Sequence, residues 1–213
     1  MRLVMPRLYV ILDAGLVHGS IFELAEQLID VGVRILQYRD KSGTAAAMLQ
    51  TSKVLARAAN EAGASFLVND RPDVAFLANA SGVHVGQDDL SVEQARAIVG
   101  PDRWVGVSTH NHKQFASAAA TSADYIAIGP IFATKSKANP DPVVGMELIR
   151  ELRSMTEKPI VAIGGIRLEH VDEILRAGAD SVAVISDIGL APDPKERARQ
   201  FLKRLEAVNL AGD

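Results

Sequence analysis

Residues 160–185 read IVAIGGIRLEHVDEILRAGADSVAVI, and this stretch contains the repeating unit that decides the fold. Two short apolar runs, Ile160–Ile163 and Ser181–Ile185, enclose an amphipathic segment that ends in the small turn Ala177–Gly178. Both runs are nearly continuous rather than alternating, which is typical of parallel strands covered by helices. The stretch therefore predicts a strand, a helix and a second strand parallel to the first.

The same unit recurs along the chain at intervals of roughly 20–30 residues. The other strand-like runs are Leu8–Leu12, Val33–Tyr38, Ser65–Val68, Gly82–Val85, Trp104–Val107 and Tyr125–Ile128. Eight evenly spaced strands with helices between them predict the α/β class and a (β/α)₈ TIM barrel, in one domain spanning residues 1–213. The alternative is a doubly wound open sheet, which the even spacing disfavours.

Helix-start signals occur between several of these strands. Ser20 with Glu23 and Ser91 with Gln94 each have the spacing of a capping box. Near the end of the chain, Asp193, Pro194 and Glu196 supply an N-cap, a first-turn proline and an acidic third position.

Composition bounds the class of protein. The chain has 213 residues, 48% of them hydrophobic, with a net charge of −3, so nothing indicates a nucleic-acid partner. It contains no cysteine, which excludes disulfides, thiolate metal sites and cysteine nucleophiles. The N-terminal apolar run is interrupted by Pro6 and Arg7 and is too short for a membrane span or a signal peptide, so we expect no membrane partner and a cytoplasmic location.

Polar residues, and in one case a pair of glycines, follow the predicted strands at the point where each strand ends. They are Gln37, Arg39 and Lys41 after the second strand, Asn69 and Asp70 after the third, Gln87, Asp88 and Asp89 after the fourth, Ser108 after the fifth, Thr134, Lys135, Ser136 and Lys137 after the sixth, Gly164 and Gly165 after the seventh, and Ser186 after the eighth. The carboxyl ends of barrel strands converge on one mouth. The pattern therefore predicts a single polar site there.

Two cationic residues stand on one face of the second strand end. Alternation along an extended chain places Gln37, Arg39 and Lys41 on one face and Tyr38 and Asp40 on the other. An arginine fork beside a mobile lysine charge suits an anionic group such as phosphate. Solvated loop charges are the alternative interpretation.

Two carboxylates, Asp70 and Asp89, follow neighbouring strands. Separate helix caps would explain them, but a cationic phosphate clamp nearby favours Mg²⁺, which takes one or two carboxylates together with phosphate oxygens. Asp88 is adjacent to Asp89, and its side chain should point the other way.

A second phosphate position is predicted after the seventh and eighth strands. Backbone N–H groups of these loops hold phosphate in many barrels, and glycine permits the close approach, so Gly165 with Ile185 and Ser186 would form such a cup. A plain turn at Gly164–Gly165 is the alternative.

The histidines show no zinc-like spacing and no nucleophilic triad. His84 lies inside a strand and is expected to be packed and hydrogen-bonded, whereas His110 and His112 are expected to be solvated. The residue types therefore predict a site that stabilises charge electrostatically rather than one that forms a covalent intermediate.

Eight stretches cover nearly the whole chain: LYVILD (8–13), QYRDK (37–41), VNDRPDVA (68–75), GVHVGQDDL (82–90), GVSTHN (106–111), DYIAIGPIFATKSK (124–137), VAIGGI (161–166) and AGADSVAVIS (177–186). Together and in this order they resemble the thiamine-phosphate synthase family. The resemblance implies a transferase with two small-molecule substrates, a pyrimidine diphosphate and a thiazole phosphate, which it joins into thiamine phosphate.

The resemblance also implies roles for individual residues. The pyrimidine diphosphate would be bound by Gln37, Arg39, Lys41, Asn69, Ser108 and Lys137, of which Arg39, Lys41, Ser108 and Lys137 would act in catalysis. Mg²⁺ would be held by Asp70 and Asp89, and the thiazole phosphate by Thr134, Ser136, Gly165, Ile185 and Ser186. Asp40 stands where the family usually has Glu, and Ser136 where Thr is usual. A homo-oligomer is compatible with the exposed helix faces, although no patch decides it.

Three other functions are weighed against this one. A thiazole tautomerase of the same superfamily carries a functional histidine where this chain has Pro130, and lacks the full Mg²⁺ and diphosphate set. A thiamine-precursor binding protein without activity would not need the two aspartates. Another phosphate-binding isomerase or epimerase barrel would need acid–base residues at the mouth, and none stands out.

Overall fold

Eight parallel strands close into a barrel in the computed structural model, which describes residues 5–134 and 141–210. The strands are β1 (Leu8–Asp13), β2 (Ile35–Arg39), β3 (Ser65–Asn69), β4 (Gly82–Val85), β5 (Trp104–Thr109), β6 (Tyr125–Ile128), β7 (Ile160–Ile163) and β8 (Ser181–Val184). The helices are α1 (Ile21–Asp30), α2 (Ala45–Glu61), α3 (Pro72–Leu77), α4 (Val92–Val99), α5 (His112–Ala119), α6 (Gly145–Arg153), α7 (Val171–Arg176), α8 (Ser186–Gly189) and α9 (Pro194–Leu210).

The barrel closes through the pairing of its first and last strands. β1 pairs in parallel with β2 on one side and with β8 on the other, and Leu8 stands opposite Val182 at the closing seam. An open sheet leaves two edge strands without a partner, so this seam excludes the doubly wound alternative. The predicted (β/α)₈ barrel is confirmed.

Hydrophobic residues fill two concentric layers. Along β1, Leu8, Val10 and Leu12 belong to the cluster between strands and helices, whereas Tyr9 and Ile11 belong to a smaller cluster of strand residues inside the barrel. Side chains alternate between the two faces of a strand, and here both faces are buried. This double burial explains why the strands read as continuous apolar runs.

The strand bounds differ from the prediction mainly at the second strand. β2 begins at Ile35 rather than Val33, because Val33 still belongs to the turn that ends α1. The Val33 N–H donates to the Leu28 carbonyl at 3.0 Å, and Gly32 has a φ of +105°. At the other end of the strands, β1, β3 and β5 extend beyond their predicted last residues, to Asp13, Asn69 and Thr109.

Two of the three predicted helix starts are confirmed completely, and the third is confirmed in part. Ser91 and Gln94 form both bonds of a capping box, and Asp193 accepts from the Glu196 N–H at 2.9 Å just before α9. Ser20 accepts from the Glu23 N–H at 3.3 Å, which is one half of the predicted box. Within residues 5–134 and 141–210, no helix combines the length and apolar character that a membrane crossing requires.

Candidate active site

One cavity of about 870 Å³ opens at the carboxyl ends of the strands and extends into the barrel. Its lining includes nine of the residues predicted for the site: Gln37, Arg39, Lys41, Asn69, Asp70, Asp89, Ser108, Thr134 and Ile185. These residues come from distant parts of the sequence, and closure of the barrel brings them together. Ser136 and Lys137 lie outside the described residues. Gly165 and Ser186 do not line the cavity, although their neighbours Gly164 and Ile185 do.

The two cations predicted at the end of β2 both face the cavity. Arg39 is ion-paired with Asp13, the last residue of β1, and the two residues stand opposite each other in the β1–β2 register. Lys41 is ion-paired with Asp70 across the mouth, and its side chain is 57% exposed. The first cation is therefore held in a fixed orientation, whereas the second is at the edge of solvent and free to follow a ligand.

Asp70 and Asp89 form a pair of carboxylates at the mouth. Partial burial and the neighbouring Asp70 carboxyl raise the pKa of Asp89, while the Gly86 N–H and Lys41 oppose this increase. Asp70 has a φ of +62°, and its N–H donates to the His84 carbonyl at 2.7 Å. A positive φ is uncommon for a residue other than glycine, although aspartate tolerates it better than most, and such residues cluster at functional sites.

The donor chemistry of this pair fits Mg²⁺. The Asp70 carboxyl disfavours the charge of Asp89 beside it, a situation that a divalent cation with a preference for carboxylate oxygens relieves. Among the described residues there is no cluster of three or more potential metal-binding side chains. Such a cluster is not required where substrate phosphate and water complete the coordination.

Five polar side chains form a continuous hydrogen-bonded chain across the floor of the cavity. Gln37 Nε2 donates to the Tyr9 hydroxyl at 2.5 Å, and the Tyr9 and Tyr125 hydroxyls lie 3.1 Å apart. His84 Nδ1 lies 2.9 Å from the Tyr125 hydroxyl, and His84 Nε2 lies 2.8 Å from the Ser108 hydroxyl. The expectation that His84 is packed and hydrogen-bonded is confirmed, since only 6% of its surface is exposed.

Glycines allow the loops after β6 and β7 to pack against each other beside the cavity. Gly165 has a φ of +63°, and a Cβ placed there would lie 2.5 Å from the Ala133 carbonyl oxygen. The loops are joined by backbone hydrogen bonds from Ile131 to Ile163 and from Phe132 to Gly164. Gly165 thus supports this wall from behind, and Gly164 provides the surface facing the cavity.

The expectation that His110 is solvated is wrong. Its side chain is 15% exposed, Nδ1 lies 2.6 Å from the Gly129 carbonyl oxygen, and Nε2 lies 3.4 Å from the Asp141 carboxylate. The loops after β5 and β6 converge at the mouth, and this convergence buries the ring. His112, the first residue of α5, is exposed as expected.

A family model described as thiamine monophosphate synthase matches residues 8–188, which run from β1 through α8. The chain belongs to the thiamine monophosphate synthase family. The resemblance seen in the sequence motifs is therefore confirmed, and the chain is an enzyme of the transferase class.

Proteins named thiamine-phosphate synthase are similar to this chain over nearly its whole length. A thiamine-phosphate synthase of Koribacter versatilis (strain Ellin345) is 50% identical over 208 residues, covering 95% of this chain and 97% of the relative. A thiamine-phosphate synthase of Shouchella clausii (strain KSM-K16) is 42% identical over 204 residues, covering 95% and 98%. The solved structure of thiamine phosphate pyrophosphorylase from Pyrococcus furiosus has a TM-score of 0.86 at 31% identity, covering 95% of this chain and 96% of that one.

Sequence reasoning missed several side chains in the cavity of this thiamine monophosphate synthase family member. Tyr9 and Tyr125 lie within apolar runs, and no local pattern marks their hydroxyl groups. Asp13 ends β1, so the strand-end rule that found the other residues would have found it too. Gln87 was found at its strand end without a role, and its Nε2 donates to the Ser108 carbonyl at 2.7 Å.

Proposed function

We propose that this chain couples 4-amino-2-methyl-5-hydroxymethylpyrimidine diphosphate with 4-methyl-5-(2-phosphoethyl)thiazole, or its carboxylated form. The products are thiamine phosphate and pyrophosphate. A cytoplasmic location belongs to the same proposal, because both substrates are phosphorylated metabolites.

The observation that carries this proposal is the division of one cavity into two different walls. Arg39, Lys41 and the carboxylates Asp70 and Asp89 line one wall, as a site for a diphosphate with a cation requires. Gly164 and Ile185 line the other wall, at the strand ends where barrels commonly hold a phosphate. A cavity of about 870 Å³ is near the upper end of the range for small-molecule sites, so it has room for two substrates.

The first chemical step breaks the bond between the pyrimidine methylene carbon and the diphosphate oxygen. The electron pair leaves with the diphosphate, and the electron-rich aminopyrimidine carries the resulting cation. Arg39 and Lys41 stabilise the negative charge that develops on the leaving group, and Lys137 is proposed to join them. Asp13 contributes by holding the Arg39 guanidinium in place before the substrate arrives.

Asp70 and Asp89 are proposed to hold Mg²⁺, which when bound supplies further positive charge to the diphosphate. Lys41 is ion-paired with Asp70. The lysine therefore has an alternative anionic partner once the diphosphate is present, and its long exposed stem lets it move between the two.

The second step forms the bond between the thiazole nitrogen and the pyrimidine methylene carbon. The thiazole nitrogen carries no proton and its lone pair is available, so no general base is needed. Gln37, Asn69 and Ser108 are proposed to orient the pyrimidine, while Thr134, Ser136 and Ile185 are proposed to hold the thiazole phosphate. Gly165 and Ser186 do not line the cavity and are proposed to support this wall from adjacent positions. Positioning two substrates in one cavity supplies much of the rate enhancement.

The coupling reaction itself tests the proposal. Purified protein with Mg²⁺ and both precursors should produce thiamine phosphate, measured by chromatography, and product should disappear when either precursor is omitted. Addition of a chelator should suppress the reaction, and excess Mg²⁺ should restore it. No product above an enzyme-free blank with authentic substrates would overturn the assignment.

A further inference from the structure

His110 lies where the loops after β5 and β6 meet at the mouth of the barrel. The residue lines the cavity, and only 15% of its side chain is exposed. No step of the proposed reaction uses its ring, so the burial of an imidazole at this point needs another explanation. The contacts of its two ring nitrogens provide one.

One ring nitrogen is bound to the start of the loop after β6. Nδ1 of His110 lies 2.6 Å from the Gly129 carbonyl oxygen. A carbonyl oxygen can only accept a hydrogen bond, so Nδ1 carries the proton and donates it. The partner alone thus fixes the direction of this bond.

The other ring nitrogen faces a residue near the far end of the same loop. Nε2 of His110 lies 3.4 Å from the carboxylate of Asp141, which also lines the cavity. Close by, the Val144 N–H donates to the Pro130 carbonyl at 2.9 Å and joins the two ends of the loop. Both ring nitrogens are turned to protein groups, which gives the ring a positioning role rather than a catalytic one.

The backbone that carries His110 is held firmly by β5 and α5. The His110 N–H donates to Gln114 Oε1 at 2.7 Å, in the first turn of α5. The preceding residue, Thr109, is buried and its hydroxyl donates to the Ala127 carbonyl at 2.9 Å. The ring therefore projects from a strand end and a helix start, and such elements place a side chain more accurately than a loop does.

The segment that His110 contacts also packs against the second wall of the cavity. Two backbone N–H groups of residues 131–132 donate to the carbonyls of residues 163–164 at 2.9 and 3.0 Å. Thr134 and Gly164 line the cavity on this side. The segment is thus held by His110 at its start and by the end of β7 farther on, so a shift at the His110 contact changes the position of this wall.

We infer that His110 is a positioning residue that, through its bond to the Gly129 carbonyl, fixes the segment 129–134 against the end of β7 and so strengthens binding of the thiazole phosphate. The inference rests on the proposed function for the identity of this ligand. On the opposite wall, Arg39 is paired with Asp13 and Lys41 with Asp70, so the binding of pyrophosphate should depend much less on His110.

Three substitutions of His110 separate its two contacts. His110→Asn places an amide N–H near the position of Nδ1 and keeps a donor for Gly129, His110→Gln places one near Nε2, and His110→Ala removes both. Titration calorimetry measures the binding of thiazole phosphate and, separately, of pyrophosphate with Mg²⁺. Neither titration includes the pyrimidine, so no coupling takes place during the measurement.

His110→Ala should bind thiazole phosphate about 10-fold more weakly than the native protein, the scale of one lost buried hydrogen bond. His110→Asn should return to within about 3-fold of the native affinity, whereas His110→Gln should stay near the alanine value. Pyrophosphate with Mg²⁺ should bind within about 3-fold of the native affinity in all three variants.

His112→Asn is the matched control. His112 stands two residues farther along, is exposed as the first residue of α5 and does not line the cavity, so its replacement should change neither affinity. Thermal denaturation establishes which variants are folded. If His110→Ala does not fold, the comparison of His110→Asn with His110→Gln carries the test, because the two differ by one methylene and in the contact that they restore.

Equal weakening of both ligands in folded His110→Ala, or equal affinities of His110→Asn and His110→Gln for thiazole phosphate, would overturn the inference. The coupling assay of the native protein decides the proposed function separately. If coupling succeeds while every His110 variant binds thiazole phosphate as the native protein does, the inference fails alone. If coupling fails while the affinities follow the expected order, the proposed function fails alone.

Discussion

Asp40 shows how a side chain that faces away from the cavity still shapes it. Its carboxylate accepts from the Ser42 N–H at 2.9 Å, from the Gly43 N–H at 2.8 Å and from the Tyr38 hydroxyl at 3.0 Å. These bonds fold the segment that carries Lys41. Partial burial alone would disfavour the charge of Asp40, but together the hydrogen bonds outweigh it and hold the pKa of this carboxyl below its ordinary value.

The lowered pKa predicts a pH-dependent stability difference between the native protein and Asp40→Asn. A carboxyl whose folded pKa is depressed contributes stability above its unfolded pKa and loses it as pH falls through the folded pKa. At neutral pH the variant should be less stable by about 1 kcal/mol, and the difference should vanish in strong acid. Urea denaturation across this pH range measures it.

Asp102→Asn is the control, since it removes an exposed aspartate elsewhere on the surface. A difference between the native protein and Asp40→Asn that stays constant down to the acid end of the range would contradict the role assigned to the charge.

Among elements, the loops after β6 and β7 depend on glycine for two separate reasons. Gly165 lies in the left-handed region of backbone conformation, and it also has the Ala133 carbonyl oxygen and the Phe132 side chain where a Cβ would stand. Gly63, in the turn before β3, has nearly the same φ, +66° against +63°, but nothing within 4 Å of its missing Cβ. The two positions separate backbone strain from steric crowding.

We predict that Gly165→Ala costs more stability than Gly63→Ala and changes thiazole binding as well. Gly63→Ala should cost about 1 kcal/mol, the strain of alanine in this conformation. Gly165→Ala should cost roughly 2–4 kcal/mol, because the loops must also move apart. Its KM for the thiazole phosphate should rise about 10-fold, while the KM for the pyrimidine diphosphate stays near the native value.

Urea denaturation and steady-state kinetics on the two variants measure these differences. Equal losses of stability, or a rise in both KM values of Gly165→Ala, would show that the glycine does not support the thiazole wall specifically.

At the scale of the whole molecule, the barrel gathers opposite charges at one mouth. Arg39 and Lys41 lie near Asp13, Asp70 and Asp89, and the cavity contains ion pairs between Arg39 and Asp13 and between Lys41 and Asp70. A ligand that binds only the folded protein raises its stability by mass action. Pyrophosphate with Mg²⁺ would complete the charge arrangement that the two proposed sites require.

Mg²⁺ and pyrophosphate together should therefore raise the Tm by roughly 5–10 °C at a hundredfold excess over the dissociation constant. Asp70→Asn should lose most of the Mg²⁺-dependent part of this increase, and asparagine tolerates the positive φ at this position. Scanning calorimetry with and without Mg²⁺ provides the measurement.

Asp73→Asn is the matched control, because Asp73 pairs with Arg71 on the first turn of α3 and does not line the cavity. A Tm increase that is the same in Asp70→Asn and the native protein would exclude Asp70 from the cation site.

Much of the site follows from a rule that needs no tertiary information. Residues at the ends of parallel strands share one mouth, so Gln37, Asn69 and Ser108 are found by their position alone. The same rule fails for His110, because its environment depends on how two loops converge. It gives no account of Tyr9 or Tyr125, because a tyrosine in an apolar run reads as packing until its hydroxyl partner is known.

The sequence by itself determined the class of fold and the family of this protein. Both depend on local periodicity and on short ordered motifs, which each segment carries independently of the others. Only the tertiary structure decided that Lys41 pairs with Asp70, that Gly164 rather than Gly165 faces the cavity, and that five side chains from β2, β1, β6, β4 and β5 form one hydrogen-bonded chain. Such contacts join residues up to 116 positions apart, and their distances arise from barrel closure.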